Sequence, residues 1–450
     1  MQSNSGAGAG APDDGAADRL AIDAAEVSPA AADPVVAAVT AALDLLCAHA
    51  TDAGAGVTGA VRIDRIAALE RLRATVAAAQ NTETVAFAQD QVEEHITRGD
   101  IDPAKVGRGV ADQIALACRI SPSSGSRRLN TARILHSDLS GVHGLLAEGR
   151  ISEDTAGRVV SETRHLTPEL RRAVDAQVVA AGIDRLSPAR AAATAKDLAY
   201  RADKAGYLAR GRTARKDRRI GLRPAPDTMA VLTGYLPVEQ GVACLAALRR
   251  HADTLVGAGG ELRSRDQVMA DTLVERVTGQ VRATDVNVEV GIVLPVDALI
   301  DPDSTATAQI VGHGPVPAGI ARDILAGTEG KRWWRRLFAR PKNGPLIGCD
   351  PKRRLFSGVL DMLIRIRDGD RCRDPFCEAH ARQIDHIDRA RSSGPTSYVN
   401  GRAVCVRGNQ TREIPGWRVE LVHDGLGDEP HTVRTTTPTG HTYVSRAGPP

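Results

Sequence analysis

The chain has 450 residues, a net charge of +3 at pH 7, a hydrophobic content of 42% and an aromatic content of 3%. Seven cysteines in a chain of this length exclude a scaffold built on disulfides. No uninterrupted apolar run reaches the length of about 18 residues that a membrane-spanning helix requires. The opening stretch MQSNSGAGAGAPDDGAADRL has no basic start and no apolar core, so we expect no signal peptide and a cytoplasmic location.

Charge is distributed unevenly along the chain. Between Lys331 and Arg418 there are 20 Lys and Arg against 9 Asp and Glu, a balance of +11. Because the total is +3, the rest of the chain carries −8. A basic module on an acidic body favours a polyanionic partner, and DNA is the partner that we expect. The alternative is an ordinary solvated basic surface.

Helical patterns dominate the first two thirds of the chain. Residues 1–33 are rich in Gly, Ala, Pro and Asp, which predicts a disordered N-terminus. Residues 34–300 are predicted to form a helical domain, because apolar residues recur at spacings of three and four as far as residue 280. The Val-rich alternation VNVEVGIVLPVDAL (286–299) then predicts one or two strands.

Local signals mark helix boundaries within this domain. Gly149 is expected just beyond a helix end, and Ser152 at a helix start with acidic residues in the first turn. Pro188 is expected near the first turn of another helix.

The C-terminal third has a different pattern. Residues 301–350 are predicted to be a basic linker, 351–416 a small α+β domain and 417–450 a tail of short strands. A helix is expected within 356–368, immediately before a cysteine motif. The predicted fold class is therefore a mainly α N-terminal domain with a small α+β C-terminal domain and a short β tail.

Three cysteines of the C-terminal domain have the spacing of a metal site. Cys372 and Cys377 belong to one short turn, and Cys405 could supply a third thiolate from the far side of a loop. Structural zinc takes four ligands, and the fourth would be expected at Gly408, which offers none. His380, water or a tail histidine such as His423 could fill the gap, or the site could be degenerate.

The segment RDGDRCRDPFCEAHARQIDHIDRARSSGPTSYVNGRAVCVRGNQTREIPGW (367–417) contains an Asp-His pair and two later asparagines between and beside these cysteines. It resembles the HNH endonuclease motif, the ββα-metal fold. It is similar in particular to the HNH module of an actinobacterial repeat family, whose members carry an N-terminal helical domain of unknown function. A looser resemblance extends over residues 35–445 through LNTARILHSDL, LLAEGRIS and RSRDQVMADTLVERVTG.

The resemblance implies a role for each matching residue. His386 would be the general base, and Asp385 would hold a divalent cation such as Mg²⁺. Asn400 would tie down the loop and help to orient the His386 ring. Asn409, expected at the start of a short helix, would complete the cation site where many relatives carry His. The implied reaction is hydrolysis of phosphodiester bonds.

Arginines beside the motif are the candidates for phosphate contact, namely Arg371, Arg373 and Arg382. Two non-enzymatic alternatives stay open. The departure at Gly408 also fits an inactive HNH-like fold kept as a nucleic-acid-binding surface, and the helical body could act as a protein-interaction scaffold.

Overall fold

The computed structural model describes residues 33–51, 56–99, 103–256, 261–279, 292–293, 301, 307–310, 314–327, 356–392, 394–427 and 429–447. The predicted disordered N-terminus and most of the predicted basic linker lie outside these residues. Of the predicted strand region 286–299, only a two-residue strand is described. Within the described part of the chain, no helix is both long and apolar enough to cross a membrane.

Helices form most of the described N-terminal region, as the sequence predicts. Their bounds are α1 (Pro34–Thr51), α2 (Gly59–Arg98), α3 (Val110–Ala117), α4 (Pro122–Ser137), α5 (Ser140–Ala147), α6 (Glu153–Thr163), α7 (Pro168–Ala180), α8 (Pro188–Ala202), α9 (Lys204–Ala214), α10 (Val238–Val256) and α11 (Arg265–Thr278).

The predicted helix boundaries are confirmed. Gly149 adopts φ +68° two residues after the end of α5, a conformation that glycine reaches at little cost. Ser152 caps α6, because its side chain accepts a hydrogen bond from Thr155 N. Pro188 occupies the first turn of α8.

Aliphatic side chains from α2 and α4–α8 form the largest core cluster. Small residues allow the helices to approach closely. A Cβ at Gly125 of α4 would overlap the Ala111 carbonyl oxygen and lie 2.6 Å from the Ala115 Cβ of α3. A buried carboxylate adds a polar link, since Asp175 of α7 accepts hydrogen bonds from the Gly141 and Val142 amides at the start of α5.

One hairpin interrupts the helices where the sequence predicts a mostly α region. Strands β1 (Arg219–Pro224) and β2 (Ala230–Tyr235) pair antiparallel. Their residues are almost all exposed, so the sequence shows no alternation of buried and exposed positions from which the two strands could be predicted. Further along lie β3 (Ile292–Val293), β4 (Thr307–Ile310) and β5 (Gly314–Pro317), which form one antiparallel sheet, and α12 (Ala318–Gly327).

The C-terminal region is a small α+β module, as predicted. It comprises α13 (Val359–Arg367), β6 (Gln383–His386), β7 (Gly401–Val404), α14 (Val406–Thr411), β8 (Arg418–His423), β9 (Thr432–Thr436) and β10 (Thr442–Arg446). The pairs β6–β7, β8–β9 and β9–β10 are all antiparallel.

Close packing fixes α13 on the β6–β7 hairpin. A Cβ at Gly401 would overlap the Ile364 side chain of α13 and lie 2.8 Å from the Phe356 ring, so a larger residue here would displace both side chains. Asp368 follows α13 and accepts a hydrogen bond from the Ala403 amide of β7 at 2.8 Å. The hairpin is therefore held from its helix side by both packing and a buried polar contact.

The C-terminal module packs directly on the helical body. Arg407 of α14 donates to both carboxylate oxygens of Asp112 in α3, at 2.7 and 3.0 Å, and to the Ser126 hydroxyl of α4. Thr439 donates to the Gln113 side chain at 2.9 Å. A bidentate guanidinium–carboxylate pair fixes orientation as well as distance, so α14 has a defined position on α3 and α4.

Candidate metal centre and the Asp-His strand

The three predicted cysteines converge on one point. Their sulfur atoms all lie within 4.8 Å of one another, and Cys377 Sγ is 3.9 Å from Cys405 Sγ. Two thiolates bound to one zinc ion are separated by roughly 3.8 Å, as Zn–S bonds of about 2.3 Å and a tetrahedral angle require. The cluster therefore has the size of a metal site before any ion is added.

Local structure explains why the three sulfurs meet. Cys372 and Cys377 lie in the turn between α13 and β6, and Phe376 of this turn has φ +59°. Cys405 is the N-cap of α14 and its sulfur accepts a hydrogen bond from the Gly408 amide at 3.2 Å. The amide and the helix dipole both favour a thiolate at this position.

The pKa values of Cys372 and Cys405 are shifted in opposite directions. The pKa of Cys405 is lowered, because the thiols of Cys372 and Cys377 and the Gly408 amide donate to its thiolate. The pKa of Cys372 is raised, because its hydrogen bonds to the other two sulfurs and its burial favour the protonated form. Such a cluster carries one thiolate readily and needs a cation to hold three.

His380, a candidate fourth ligand in the sequence, lies outside this sulfur group. Its side chain is 46% exposed and its Nδ1 is 3.7 Å from Asp370 Oδ2. We predicted His380 as a ligand because it lies three residues after Cys377. In the structure its backbone pairs with Arg371 in an isolated β-bridge, and its ring nitrogens do not join the three sulfur atoms.

Asp385 and His386 end strand β6, but their side chains have different partners. Arg402 of the paired strand β7 donates to Asp385 Oδ2 at 3.3 Å, and Arg412 donates to the same oxygen. Arg412 also donates to the carbonyl oxygens of His386 and Ile387. Arg402 and Arg412, which lie outside the residues predicted from the HNH resemblance, thus fix the Asp385 carboxylate.

His386 is held by contacts on the opposite side. Its Nε2 is 2.9 Å from the Thr396 hydroxyl, and its ring centroid lies 4.5 Å from that of Phe356. Thr396 belongs to the loop between β6 and β7, so this loop helps to set the orientation of the ring. No motif in the sequence indicates that Thr396 contacts His386.

Asn400 is buried and its side chain closes the same loop. It accepts from the Asp388 amide at 2.7 Å and donates to the carbonyl oxygens of Asp388 and Pro395. Its own carbonyl accepts from the Ile387 amide, directly after His386. The side chain acts on the loop backbone.

Asn409 lies inside α14, which begins three residues earlier than the sequence predicts. Its Nδ2 donates to the Gln383 side chain at 2.7 Å. Gln383 and Asp385 are two residues apart on β6 and therefore project from the same face. Asn409 thus lies against the face of the strand that carries Asp385, without a hydrogen bond between the two side chains.

The three arginines predicted to contact phosphate differ in exposure. Arg373 is buried at 4% exposure, and its Nη2 donates to the carbonyl oxygens of His431 and Ser445. Arg373 is therefore buried and hydrogen-bonded to the β8–β10 sheet. In this position it has a structural role and does not offer the surface contact to phosphate that we predicted. Arg371 is half-buried and Arg382 is exposed.

A cleft of about 490 Å³ separates the cysteine turn from the helical body. Its walls include Ser121 and Ser124 at the start of α4. Its basic lining residues are Arg119, Arg371, Arg373 and Arg446, and its acidic ones are Asp368, Asp374 and Glu378.

Comparison with known proteins gives one match. No curated protein and no solved structure matches the chain. A family model described as "Domain of unknown function (DUF222)" matches residues 66–368, from within α2 to the residue after α13. The match supports the prediction of a domain of unknown function; it continues past the predicted boundary at residue 300 and ends before the cysteine motif. Since it covers more than half of the 450 residues, the chain belongs to the DUF222 family.

Proposed function

We propose that the C-terminal module is a metal-dependent HNH-type endonuclease that hydrolyses phosphodiester bonds in DNA. One observation carries the proposal: Asp385 and His386 end a strand whose hairpin partner leads directly into the helix that bears Asn409. This is the strand–strand–helix order that the resemblance implies. The basic charge balance of this part of the chain supports a polyanionic substrate.

His386 is the general base of the proposed reaction. A neutral imidazole can accept a proton from water, which makes histidine a common general base. The ring is held between Thr396 and Phe356, which limits its rotation. Fixing the base reduces the orientational cost of the attack by water on phosphorus.

Asp385 and Asn409 would hold the catalytic cation. Both arginines engage Oδ2 of Asp385, and within the described residues its Oδ1 receives no hydrogen bond. The Asn409 amide uses its nitrogen on Gln383, which keeps its oxygen for a cation. This oxygen donor set suits Mg²⁺ or another hard divalent ion. When bound, the ion would stabilise negative charge on the phosphate.

The cysteine cluster would hold a structural zinc ion. Three sulfurs at the spacing of a tetrahedral site fit Zn²⁺ better than the oxygen-preferring ions. The ion would join the turn after α13 to the start of α14. It would thereby fix the helix that bears Asn409 relative to β6.

The cleft beside the cysteine turn is the proposed route for the DNA backbone. Arg119, Arg371 and Arg446 line it, and exposed Arg382 precedes β6. Guanidinium groups contact phosphates without reading base sequence. The helical body contributes Arg119, so the proposed interface includes residues from both parts of the chain.

Nicking of supercoiled plasmid in Mg²⁺ or Mn²⁺ tests the proposed activity. His386→Ala is expected to lower the rate by at least about a hundredfold, since general-base catalysis contributes that much. His423→Ala is the matched control, because this histidine is exposed on β8 of the same module and lies outside the group of close sulfur atoms. Cleavage that survives unchanged in His386→Ala would reject the assignment.

A second candidate is an inactive module that binds nucleic acid. The two arginines on Asp385 favour it, because they already neutralise the carboxylate that a cation would need. Under this alternative the purified protein binds DNA with strong salt dependence and nicks none. Nicking that depends on His386 excludes it.

A further inference from the structure

We propose that Asp374 is the fourth ligand of the cysteine metal site and that Gly408 is the residue that makes room for it. The resulting ligand set is three thiolates and one carboxylate. This inference rests on the zinc ion proposed for the cluster, and it is independent of nuclease activity.

The geometry at Gly408 points to Asp374. A Cβ at residue 408 would overlap Asp374 Oδ2, lie 2.9 Å from Asp374 Cγ and stand 3.4 Å from Cys372 Sγ. The Asp374 carboxylate therefore occupies the space where a cysteine at 408 would place its side chain. A side chain at 408 and the carboxylate at its present position exclude each other.

Asp374 also lies in the right part of the chain. It belongs to the turn between Cys372 and Cys377, and it is only partly buried. Its oxygens are not within 4.8 Å of all three sulfurs, so ligation requires a rotation of its side chain. A carboxylate at about 2.0–2.2 Å is an ordinary zinc ligand.

Arg402 supports this role from behind. It is fully buried, and its Nη1 donates to Asp374 Oδ1 at 2.6 Å, which leaves Oδ2 for the metal. Three thiolates and a carboxylate exceed the charge of Zn²⁺ by two, and a buried guanidinium offsets part of that excess. Metal-bound carboxylates are commonly oriented by such outer hydrogen bonds.

Other nearby candidates are engaged or exposed. Asp370 accepts from Arg365 at 3.1 Å and lies 3.7 Å from His380. Glu378 is exposed. Asp374 differs from both because its carboxylate lies at the position of a residue-408 Cβ, a point only 3.4 Å from Cys372 Sγ.

Cobalt substitution of the full-length protein tests the proposal. Co²⁺ alone serves as the optical probe, and competition with Zn²⁺ gives the affinity. We expect wild type to bind one Co²⁺ at the cysteine cluster with the intense visible bands of a tetrahedral thiolate site, whereas an ion on the oxygen ligands of Asp385 and Asn409 would absorb only weakly. Asp374→Asn should weaken Zn²⁺ binding at least about tenfold and shift those bands, since even outer-shell changes cost that much. Asp370→Asn is the matched control and should change neither.

A rescue variant guards against misfolding of the single substitution. Gly408→Cys combined with Asp374→Ser should restore tight binding and add thiolate-to-cobalt charge-transfer intensity. Unchanged affinity and spectrum in Asp374→Asn would overturn the fourth-ligand assignment and leave the cysteine site standing. Failure of wild type to bind Co²⁺ or Zn²⁺ would overturn both, whereas a missing nicking activity bears on neither.

Discussion

Arg402 is a buried charge that links the two proposed centres. Its side chain is 0% exposed and donates to Asp374 beside the cysteines and to Asp385 on β6. A buried guanidinium is tolerated only when it is paired, because its desolvation is costly. The Arg402 guanidinium therefore fixes the cysteine turn relative to strand β6, which carries Asp385.

Replacement of Arg402 by Met is expected to destabilise the protein by about 3–5 kcal/mol. The reason is that two partly buried carboxylates lose their common partner. Urea unfolding of the full chain measures the change. Arg418→Met, at an exposed position of β8, should stay within about 0.5 kcal/mol of wild type. A loss below about 1 kcal/mol for Arg402→Met would contradict the pairing.

His431 is a buried neutral histidine whose titration should affect stability. Burial, reinforced by the charge of Arg367, lowers its pKa from 6.5 to about 4. Its Nε2 donates to the Val399 carbonyl at 2.8 Å, a bond that the neutral ring can make. The unfolded chain binds a proton below about pH 6.5, whereas the folded protein resists protonation until about pH 4. Stability is therefore full above pH 6.5 and falls as the pH drops towards 4.

His431→Gln should flatten this pH dependence. Between pH 7 and 4.5 the wild type is expected to lose about 2–3 kcal/mol more than the variant, because glutamine does not titrate. Urea unfolding at several pH values measures the difference. His423→Gln should follow the wild-type curve, since this histidine is exposed. If the difference in unfolding free energy between wild type and His431→Gln does not change with pH, the claim that His431 is buried in its neutral form is wrong.

The sequence predicted which cysteines meet but not which side chains surround them. Cys372 and Cys377 lie in one turn, and the antiparallel β6–β7 pair brings Cys405 to that turn. In the sequence, Arg402 and Arg412 are visible only as part of the basic charge of residues 331–418. Their pairing with Asp385 depends on strand register and on the position of α14, which are tertiary properties.

At the scale of elements, the close contact between α3 and α4 depends on one glycine. Gly125→Ala is expected to cost about 1–3 kcal/mol, because the added methyl overlaps Ala111 and Ala115 and pushes the helices apart. Thermal or urea unfolding checks this. Gly157→Ala on α6 is the matched control, since nothing lies within 4 Å of its added Cβ.

The control should be neutral or gain up to about 1 kcal/mol from helix propensity. Equal stability of Gly125→Ala and wild type would mean that the two helices can separate freely. Because α3 and α4 also carry the partners of Arg407, the substitution tests the platform on which the C-terminal module rests.

Helices were predictable where capping residues and proline fix their starts, and the C-terminal strands were predictable from the turn residues between them. Ser152 and Pro188 marked helix starts by capping and by fixed backbone geometry. The β8–β10 strands were expected from their short runs between Gly and Pro turns. The β1–β2 hairpin was not, because its exposed faces leave no hydrophobic pattern, and its turn contains Asp227 and Thr228 at positive φ.

At the scale of the whole molecule, the family region and the cysteine module are physically joined. The DUF222 match includes α3 and α4, while Arg407 lies beyond it. The bidentate Arg407–Asp112 pair spans 295 residues of sequence, so nothing local could have predicted it. The helical domain therefore supplies a surface that positions the helix bearing Asn409.

A double-mutant cycle on Asp112→Asn and Arg407→Gln should give a coupling energy of about 1–3 kcal/mol in the unfolding of the full chain. The pair is bidentate and partly buried, with side-chain exposures of 11% and 35%, so solvent screens it incompletely. The control cycle uses Asp154 and Arg158 on α6, an exposed pair one helical turn apart that should couple by less than about 0.5 kcal/mol. If both cycles give the same small coupling energy, the Arg407–Asp112 contact does not contribute to the stability of the full chain. A large value at Arg407 alone would mean that the position of α14, and with it Cys405 and Asn409, depends on the DUF222 domain.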